Sequence, residues 1–414
     1  MGRRTDRGRS VGARVPPPQR GHYVIGMRYD IDPDHHESVM DRPDLMLHRL
    51  NLTGFKTIQK VDLELGPVNI LVGPNGAGKS NFVSFFRMLN RMMMPPGGLQ
   101  LYVAKMGGAS TLLHSGPGVT PHIVAGLEFR SAGGVAQYCI LLSHAAQDTL
   151  ILAQETFRAV PERVNVDEVP WMDLGGGQRE SNLIRSAHEA TSAVGPRATW
   201  SFLVDCVVHQ FHNTSETARI RQRSPVSDNR HLSEDGANLA PFLLRIREQH
   251  PAHYERITGT VRQIAPFFAD FVLEPEGDTL LLRWREFGND VVFGPHQASD
   301  GTLRAMALVA LLLQPTNELP AVIILDEPEL GLHPRAISIL AGLLLGVSSH
   351  SQVIVATQSP VLLDHFEPEQ VIVAERDGTE SVFRRLDAGK LASWLEEYTM
   401  SELWDKNVFG GRPR

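Results

Sequence analysis

Residues 70–81 read ILVGPNGAGKSN and decide the fold of this chain of 414 residues. Residues 69–72, NILV, predict a buried strand, and a helix is expected to begin at Ser80. Between them, residues 73–80 fit the pattern G-x-x-x-x-G-K-[ST] at every position. Glycines allow successive backbone N–H groups to turn toward an anion, and a helix N-terminus adds partial positive charge. The stretch therefore predicts a loop that holds phosphate groups.

Two side chains at the end of this phosphate loop (residues 73–80) have the chemistry that nucleotide binding needs. Lys79 is expected to reach the β- and γ-phosphates of ATP and to assist catalysis, and the Ser80 hydroxyl is expected to be a ligand of Mg²⁺. A glycine-rich turn that only joins a strand to a helix is the alternative, but the context favours binding. The predicted nucleotide-binding residues here are Gly73, Pro74, Asn75, Gly76, Ala77, Gly78, Lys79, Ser80 and Asn81.

A second stretch, AVIILDEP at residues 321–328, places two carboxylates at the end of an apolar run. Proteins of the α/β class bind their ligands at the carboxyl ends of such strands. We expect Asp326 to be a metal residue that orients the water shell of Mg²⁺, and Glu327 to polarise the attacking water. The alternative is that the pair only caps a helix. The phosphate loop in the same chain favours the catalytic interpretation.

Two stretches compete for the role of a signature that opens a helix beside the carboxylate-bearing strand. LGGGQ at 174–178 superficially resembles the LSGGQ signature of ABC-type ATPases, and SDGTLR at 299–304 resembles the variant of RecF-like and OLD-like ATPases. Gly301 lies 25 residues before Asp326 and precedes an apolar helix, whereas LGGGQ leads into a polar run far upstream. We therefore predict a loop at 174–178. The predicted signature residues are Ser299, Asp300, Gly301 and Thr302.

A fourth stretch, VIVATQSP at residues 353–360, ends a predicted strand with a polar side chain. Many ABC-type ATPases have a histidine at this point, which contacts the γ-phosphate, and this chain has Gln358. A glutamine donates a hydrogen bond but carries no charge at neutral pH. We predict that Gln358 takes part in catalysis and that hydrolysis is slow.

The composition is that of an ordinary globular protein, with 42% hydrophobic and 21% charged residues. Its 40 basic and 47 acidic residues give a net charge of −7, so contact with nucleic acid would need a local basic patch. Cys139 and Cys206 lie far apart without a CxxC pattern, and neither a disulfide nor a zinc site is predicted. With no apolar run of roughly 18–20 residues and no secretory signal, we expect a cytoplasmic protein with no membrane partner.

Apolar strands that alternate with helices after residue 299 predict an α/β fold, a P-loop NTPase of the ABC-ATPase-like type with a mixed sheet. Proline and glycine interruptions upstream indicate an inserted, mostly helical lid or arm. The Arg-, Gly- and Pro-rich start predicts a disordered basic and polar tail, with a basic arm that touches nucleic acid as the alternative. The expected divisions are 1–45 for the tail, 46–144 for the N-terminal part of the ATPase core, 145–290 for the lid, 291–390 for the C-terminal part of the core and 391–414 for a C-terminal helix and tail.

With these four elements in order, the chain resembles the ABC-type ATPase heads of the SMC, RecF and OLD group. LDEPELGLHP at 325–334, followed by ATQSP at 356–360, is similar to stand-alone prokaryotic ATPases of the "AAA family" (AAA_21-like). The resemblance implies an ATP-dependent homodimer in which the signature of one copy caps the ATP on the phosphate loop of the other. It also implies that Lys56, in LTGFKT, lies near the nucleotide. The glutamine of the Q-loop in this group has no clear counterpart, and Gln100 is a poor candidate.

Two departures from that group narrow the expected function. The predicted lid lacks the long heptad pattern of an SMC coiled coil, and the 57 residues after Thr357 are too few for the C-terminal nuclease domain of OLD proteins. The resemblance then implies an ATPase that drives anti-phage defence or genome maintenance with a separately encoded, nuclease-like effector. The alternative is a RecF-like DNA-repair clamp that binds DNA directly. A transporter ATPase would require LGGGQ to be the signature.

Weaker patterns concern basic and histidine residues. A basic stripe with an aromatic residue fits a DNA backbone, and a solvated or ion-paired face is the alternative. Histidines spaced i, i+3 can be metal ligands, but without a carboxylate or cysteine pattern nearby they are predicted to be structural. The stripe comprises Arg219, Arg221 and Arg223, which alternate as on one strand face, and Arg283 and Arg285 around Trp284; the histidine pairs are His209 with His212 and His250 with His253.

Overall fold

A computed structural model describes residues 45–94, 97–189 and 194–412. Its strands are β1 (Met46–Phe55), β2 (Ile58–Glu64), β3 (Val68–Val72), β4 (His122–Ser131), β5 (Gly134–Ala145), β6 (Thr149–Pro161), β7 (Met172–Gly175), β8 (Val208–His209), β9 (Ser224–Pro225), β10 (Phe268–Phe271), β11 (Thr279–Leu280), β12 (Trp284–Glu286), β13 (Val292–Phe293), β14 (Val322–Asp326), β15 (Gln352–Thr357), β16 (Val371–Asp377) and β17 (Glu380–Arg385). Its helices are α1 (Lys79–Met92), α2 (Gly98–Lys105), α3 (Leu183–Glu189), α4 (Pro196–Val204), α5 (Leu239–Gln249), α6 (Pro251–Ile264), α7 (Asp300–Leu312), α8 (Pro334–Val347), α9 (Pro360–Leu363), α10 (Ala388–Leu395) and α11 (Met400–Asp405).

A six-stranded sheet carries the phosphate loop, in the order β17-β16-β3-β15-β14-β8. The strands β3, β14 and β15 are buried at every residue, as expected for apolar strands that are covered on both faces. Neighbouring strands from β16 to β8 run parallel, and β17 pairs antiparallel with β16. The predicted mixed sheet is confirmed.

Successive side chains of the central strands enter two different cores. On β14, Ile323 and Leu325 pack in the core that includes α5, α6, α7 and α8, whereas Val322 and Ile324 pack in the core that includes α1. The period of two along a strand sends neighbouring side chains to opposite faces in this way. Helix α1, which follows the phosphate loop, is thereby fixed between the central sheet and a second sheet.

The second sheet is antiparallel and has the order β2-β1-β4-β5-β6-β7. Its long strands β4 and β5 alternate between buried and partly exposed residues, as strands with one covered face do. The covered face packs on α1, where the rings of Phe55 and Phe85 meet edge to face with centroids 5.5 Å apart.

Residues 145–290, predicted to form a mostly helical lid, belong to the compact unit that spans Asp41–Arg414. They contribute strands as well as helices to it. The boundary expected between residues 144 and 145 falls inside β5, which pairs with β6 along its whole length. Further along, β8 pairs with β14 in the central sheet, and α5 and α6 complete the core around α7. The segment therefore supplies both sheets as well as helices.

Two short helices, α10 and α11, take the place of the single helix expected, with a tail, within 391–414. The predicted tail at 1–45 lies outside the described residues except for Leu45, which is buried. None of the helices in the described ranges combines the length and the apolar character that crossing a membrane requires.

Candidate nucleotide-binding and catalytic site

The phosphate loop joins the end of β3 to the start of α1, as its sequence predicts. Gly78 has a φ of +104°, and a Cβ there would overlap the hydroxyl of Ser381, so only glycine fits this position. The next residue, Lys79, is 4% exposed, and its ammonium donates hydrogen bonds to the carbonyls of Gly73 (2.6 Å) and Pro74 (3.1 Å). The cation is therefore held against the concave side of the loop.

The electrostatic surroundings of Lys79 connect the loop with the second predicted motif. Burial lowers the pKa of Lys79, and the carboxylates of Glu327, Asp326 and Glu329 act in the opposite direction. Because the effect of a charge on a pKa weakens with distance, the two motifs must lie close in space although they are far apart in sequence. The parallel order β3-β15-β14 brings them together, because it aligns the carboxyl ends of the three strands at one edge of the sheet.

Asp326 ends β14 as a buried carboxylate that is 5% exposed. Its Oδ2 accepts a 2.6 Å hydrogen bond from Nε2 of Gln210, while its Oδ1 is buried and has no hydrogen-bond partner among the described residues. Burial raises the pKa of Asp326. Because buried polar atoms are normally paired, the free Oδ1 fits an oxygen that a bound cation would satisfy.

Glu327 has backbone geometry that is unusual for a glutamate. Its φ is +46°, a left-handed conformation that costs a non-glycine residue roughly 1–3 kcal/mol and is concentrated at active sites. Its N–H donates to the carbonyl of Ala356 at 2.7 Å, and its carboxylate accepts a hydrogen bond from Nε2 of Gln358. The loops that follow β14 and β15 therefore bring Glu327, the predicted base, and Gln358 into direct contact.

Gln210 is a site residue that the sequence motifs do not reveal. It follows β8, a strand of two residues that pairs with Ile324 and Leu325 of β14, and its N–H is held by the carbonyl of Glu234 at 2.8 Å. A strand this short leaves no periodic signal, so its end could not be located in advance. Gln100 lies elsewhere, and its amide donates to the carbonyls of Leu150 and Arg179.

The predicted signature opens helix α7. Ser299 is the N-cap, and its hydroxyl accepts the N–H of Thr302 at 3.2 Å. Asp300 accepts a 2.8 Å hydrogen bond from Arg221. A Cβ on Gly301 would overlap the carbonyl of Gly331, so glycine allows the helix to approach the loop that follows β14.

Arg304, one turn into α7, ties the signature helix to the two other parts of the site. Its guanidinium donates to the carbonyls of Phe211 (3.0 Å) and His212 (2.8 Å), which follow Gln210, and to that of Leu330 (2.7 Å), which follows the carboxylates. Among the described residues, no hydrogen bond joins the signature 299–302 to the phosphate loop. The signature thus contacts the carboxylate loop of its own chain while Ser299 and Asp300 stay exposed.

Lys56 and Asn81 lie beside the start of α1. Lys56 is in the turn between β1 and β2, has a φ of +49°, and donates a 2.6 Å hydrogen bond to Ser84. Burial lowers its pKa, and Arg87 acts in the same direction. Asn81 donates to the hydroxyl of Thr57 at 2.7 Å. The turn is therefore attached to the helix that the phosphate loop opens.

LGGGQ lies in the antiparallel sheet. Leu174 and Gly175 end β7, so the loop predicted over 174–178 is wrong for these two residues. The chain bends at the next two glycines, and Gln178 then forms an isolated bridge with Leu152. Nε2 of Gln178 donates to Oε2 of Glu155 at 3.1 Å. Glu155 is fully buried and also accepts from Tyr138 and Ser181. These contacts give the stretch a packing role in this sheet.

The predicted strand through Arg219, Arg221 and Arg223 is wrong, because the chain forms a 3₁₀ turn over Arg219–Arg221. Alternation over five residues is too short a signal to exclude such a turn. Arg221 is buried, while Arg223 and Arg283 both pair with Glu276. The ion-paired alternative therefore describes these arginines, and Trp284 is buried rather than presented to solvent.

The four histidines have separate partners. His212 donates to the carbonyl of Asp326 at 2.5 Å, and His253 to that of Leu313 at 3.0 Å. His250 lies 3.0 Å from a carboxylate oxygen of Glu318, and His209 is buried beside Phe211. In the described part of the chain, no group of three or more His, Cys, Asp or Glu side chains is arranged to hold a metal ion.

Comparison with known proteins adds two findings on this chain. The sequence model of the family described as "AAA domain, putative AbiEii toxin, Type IV TA system" matches residues 205–364. This range includes Gln210, the signature, both carboxylates and Gln358, but not the phosphate loop. None of the curated proteins matches the chain.

Solved structures of SMC heads are similar in fold. The Smc head bound to the C-winged helix domain of ScpA has a TM-score of 0.53 at 18% identity, covering 84% of this chain and 99% of that one. The Smc head with an extended coiled coil from Pyrococcus furiosus, bound to the C-terminal domain of ScpA, has a TM-score of 0.51 at 15% identity, covering 85% and 99%. The chain therefore has the fold of an SMC head domain, and its residues 205–364 are similar to the AAA-domain family.

Proposed function

We propose that the chain hydrolyses ATP at the edge of the central sheet, with Mg²⁺ held by Ser80 and Asp326. The observation that carries this proposal is the buried Oδ1 of Asp326, which lacks a hydrogen-bond partner among the described residues in a site that also contains a buried Lys79. A bound Mg²⁺ would neutralise the charge of the phosphates. Lys79 would bind the β- and γ-phosphates, and Asn81 and Lys56 would border the nucleotide.

Glu327 is the proposed base for this reaction. Its carboxylate orients the attacking water and takes up its proton, and the hydrogen bond from Gln358 fixes its position. The proposed role of Gln358 is therefore to position Glu327, in addition to any contact with the γ-phosphate. Because an amide is neutral, it adds no positive charge to the transition state, which is the physical reason for the slow turnover that the sequence predicts.

Two variants test the site. Lys79→Ala is expected to lose ATP binding, measured by titration with a fluorescent ATP analogue, whereas Lys390→Ala is the control because that lysine is 82% exposed at its side chain. Glu327→Gln is expected to bind ATP with unchanged affinity and to lose at least about a hundredfold in kcat. Tight binding by Lys79→Ala, or normal turnover by Glu327→Gln, would contradict the proposal.

The proposed active form is a homodimer in which Ser299, Asp300, Gly301 and Thr302 of one copy cap the ATP on the phosphate loop of the other. It is supported by the exposure of Ser299 and Asp300 and by the separate contacts that the signature and the phosphate loop make within one chain. Sedimentation of Glu327→Gln with ATP should show a dimer that Ser299→Arg prevents. A monomer under these conditions would rule out this homodimer.

The proposed process is anti-phage defence or genome maintenance with a separate effector, nuclease-like in its chemistry. The description of the matching family names a putative toxin of a Type IV TA system, and the similar Smc heads are bound to a domain of another protein, ScpA. The alternative is a RecF-like repair clamp that grips DNA itself. Buried Arg221 and the ion pairs of Arg223 and Arg283 favour the effector.

Direct DNA binding separates these two functions. The effector hypothesis predicts that the purified chain with ATP does not retard a duplex at about 0.15 M salt. ATP-dependent retardation that weakens steeply as salt increases would support the repair clamp, because such binding releases counterions from the phosphates.

A further inference from the structure

Glu329, the third carboxylate of the DEPE run at 326–329, is 7% exposed and has no role in the reaction described above. Its Oε1 accepts a 2.5 Å hydrogen bond from the hydroxyl of Thr357 and a 3.3 Å hydrogen bond from the backbone N–H of Gln358. Its side chain therefore crosses from the loop that follows β14 to the loop that follows β15.

The contacts of Glu329 continue into the second loop. The hydroxyl of Thr357, which is fully buried, donates to Glu329 and accepts the N–H of Ser359 at 3.0 Å. Ser359 in turn caps α9 through its own hydroxyl, which accepts the N–H of Leu362. One carboxylate oxygen thus organises the backbone on both sides of Gln358.

This arrangement affects the position of Glu327, because the loops that follow β14 and β15 contact each other at two points. Glu327 accepts from the side chain of Gln358, and two residues later Glu329 accepts from the backbone of the same glutamine. A side chain is placed accurately only when the backbone that carries it is also held, since small displacements of catalytic groups cost rate.

We propose that Glu329 is a positioning residue for ATP hydrolysis, which fixes the backbone at Thr357 and Gln358 so that the amide of Gln358 holds the carboxylate of Glu327. This inference rests on the proposed role of Glu327 as the base. The property that matters is the hydrogen-bond acceptor at Oε1, and a neutral side chain with the same acceptor performs the same task.

Steady-state ATP turnover of Glu329 variants tests the inference. Glu329→Gln keeps the acceptor and should keep kcat within about threefold, whereas Glu329→Ala should lower kcat by roughly tenfold to a hundredfold with KM for ATP little changed. Thr357→Val removes one donor without changing the side-chain shape and should fall between them. An equal loss in Glu329→Gln and Glu329→Ala would overturn the inference.

A double variant shows whether Glu329 acts through Gln358. If it does, Glu329→Ala combined with Gln358→Ala should be no slower than Gln358→Ala alone. Losses that multiply, or a Gln358→Ala variant with normal kcat, would overturn the proposal. The two proposals can fail independently. An active Glu327→Gln would refute the role of Glu327 as the base. An inactive Glu327→Gln together with a fully active Glu329→Ala would refute only the role of Glu329.

Glu155→Ala is the matched control for loss of a buried carboxylate. Glu155, like Glu329, is a buried carboxylate that accepts hydrogen bonds, here from Tyr138 and Ser181, but it lies in the antiparallel sheet. Its loss should lower the melting temperature and leave kcat per folded molecule unchanged. A decrease in kcat for Glu155→Ala as large as that for Glu329→Ala would mean that general destabilisation explains both, and would overturn the inference.

Discussion

Nε2 of Gln210 donates a 2.6 Å hydrogen bond to Oδ2 of Asp326, although the two residues are 116 positions apart in the chain. The bond leaves Oδ1 of Asp326 as the free oxygen and fixes the direction in which it points. Edge strand β8 makes this possible, because its parallel pairing with β14 brings Gln210 level with the carboxylate. Gln100, by contrast, donates to the carbonyls of Leu150 and Arg179 and not to Asp326.

Replacement of Gln210 should weaken the response of the enzyme to Mg²⁺. Without the amide, Asp326 is free to rotate, and we expect Gln210→Ala to need about tenfold more Mg²⁺ for half-maximal activity, in the range seen when residues that orient metal ligands are lost. The measurement is ATP turnover against Mg²⁺ concentration. Gln100→Ala is the matched control, since its amide donates to the carbonyls of Leu150 and Arg179, away from Asp326. Coincident curves for the two variants would contradict this role.

Gln358→His should preserve or raise turnover. A histidine at this position can still donate to the carboxylate of Glu327, and its protonated form would add positive charge near the phosphates, which an amide cannot do. The expected result is a kcat equal to or above that of the parent chain, measured by phosphate release at saturating ATP. A complete loss of activity would show that the shape of the amide, and not its donor, is required.

How far the sequence predicts this site depends on whether its parts are contiguous. The phosphate loop and Asp326–Glu327 were predictable because strand, loop and polar residues follow one another directly, and the backbone alone brings them into position. Gln210 was not, since it depends on a two-residue strand at the edge of the sheet. The strand expected through Arg219–Arg223 was wrong because the burial of Arg221 against Pro295 and Asp300 overrides a short alternating pattern.

Arg221 and Arg219, at the two ends of one turn, should differ widely in their effect on stability. Arg221 is buried and donates to the carbonyls of Thr214 and Pro295 and to the carboxylate of Asp300. We expect Arg221→Ala to lower the free energy of unfolding by about 2–4 kcal/mol, because it leaves the two carbonyls, which are buried in these contacts, without a donor. Urea denaturation measures this change.

The control for this prediction is Arg219→Ala. The side chain of Arg219 is 70% exposed and pairs with Asp235 at 3.1 Å, and exposed pairs contribute less than about 1 kcal/mol. Similar midpoints of denaturation for the two variants would show that the contacts of Arg221 do not stabilise the start of α7.

His209 gives the chain a dependence of stability on pH that does not involve catalysis. Burial lowers its pKa from 6.5 to about 4, and a hydrogen bond with the backbone of Ser233 acts in the opposite direction. Its Nδ1 is buried without a hydrogen-bond partner among the described residues. The folded chain therefore holds this ring neutral at values of pH where the unfolded chain binds a proton.

The sign follows from the two pKa values. Between pH 6.5 and about 4 the unfolded state binds more protons, so the free energy of unfolding decreases as pH falls through this window. Each pKa unit corresponds to about 1.4 kcal/mol, which makes the total loss roughly 2–4 kcal/mol. His209→Phe lacks this contribution. Its free energy of unfolding, measured by urea denaturation at roughly unit steps between pH 7 and pH 5, should therefore change less with pH than that of the parent chain. Parallel pH curves for the two proteins would show that another group causes the dependence.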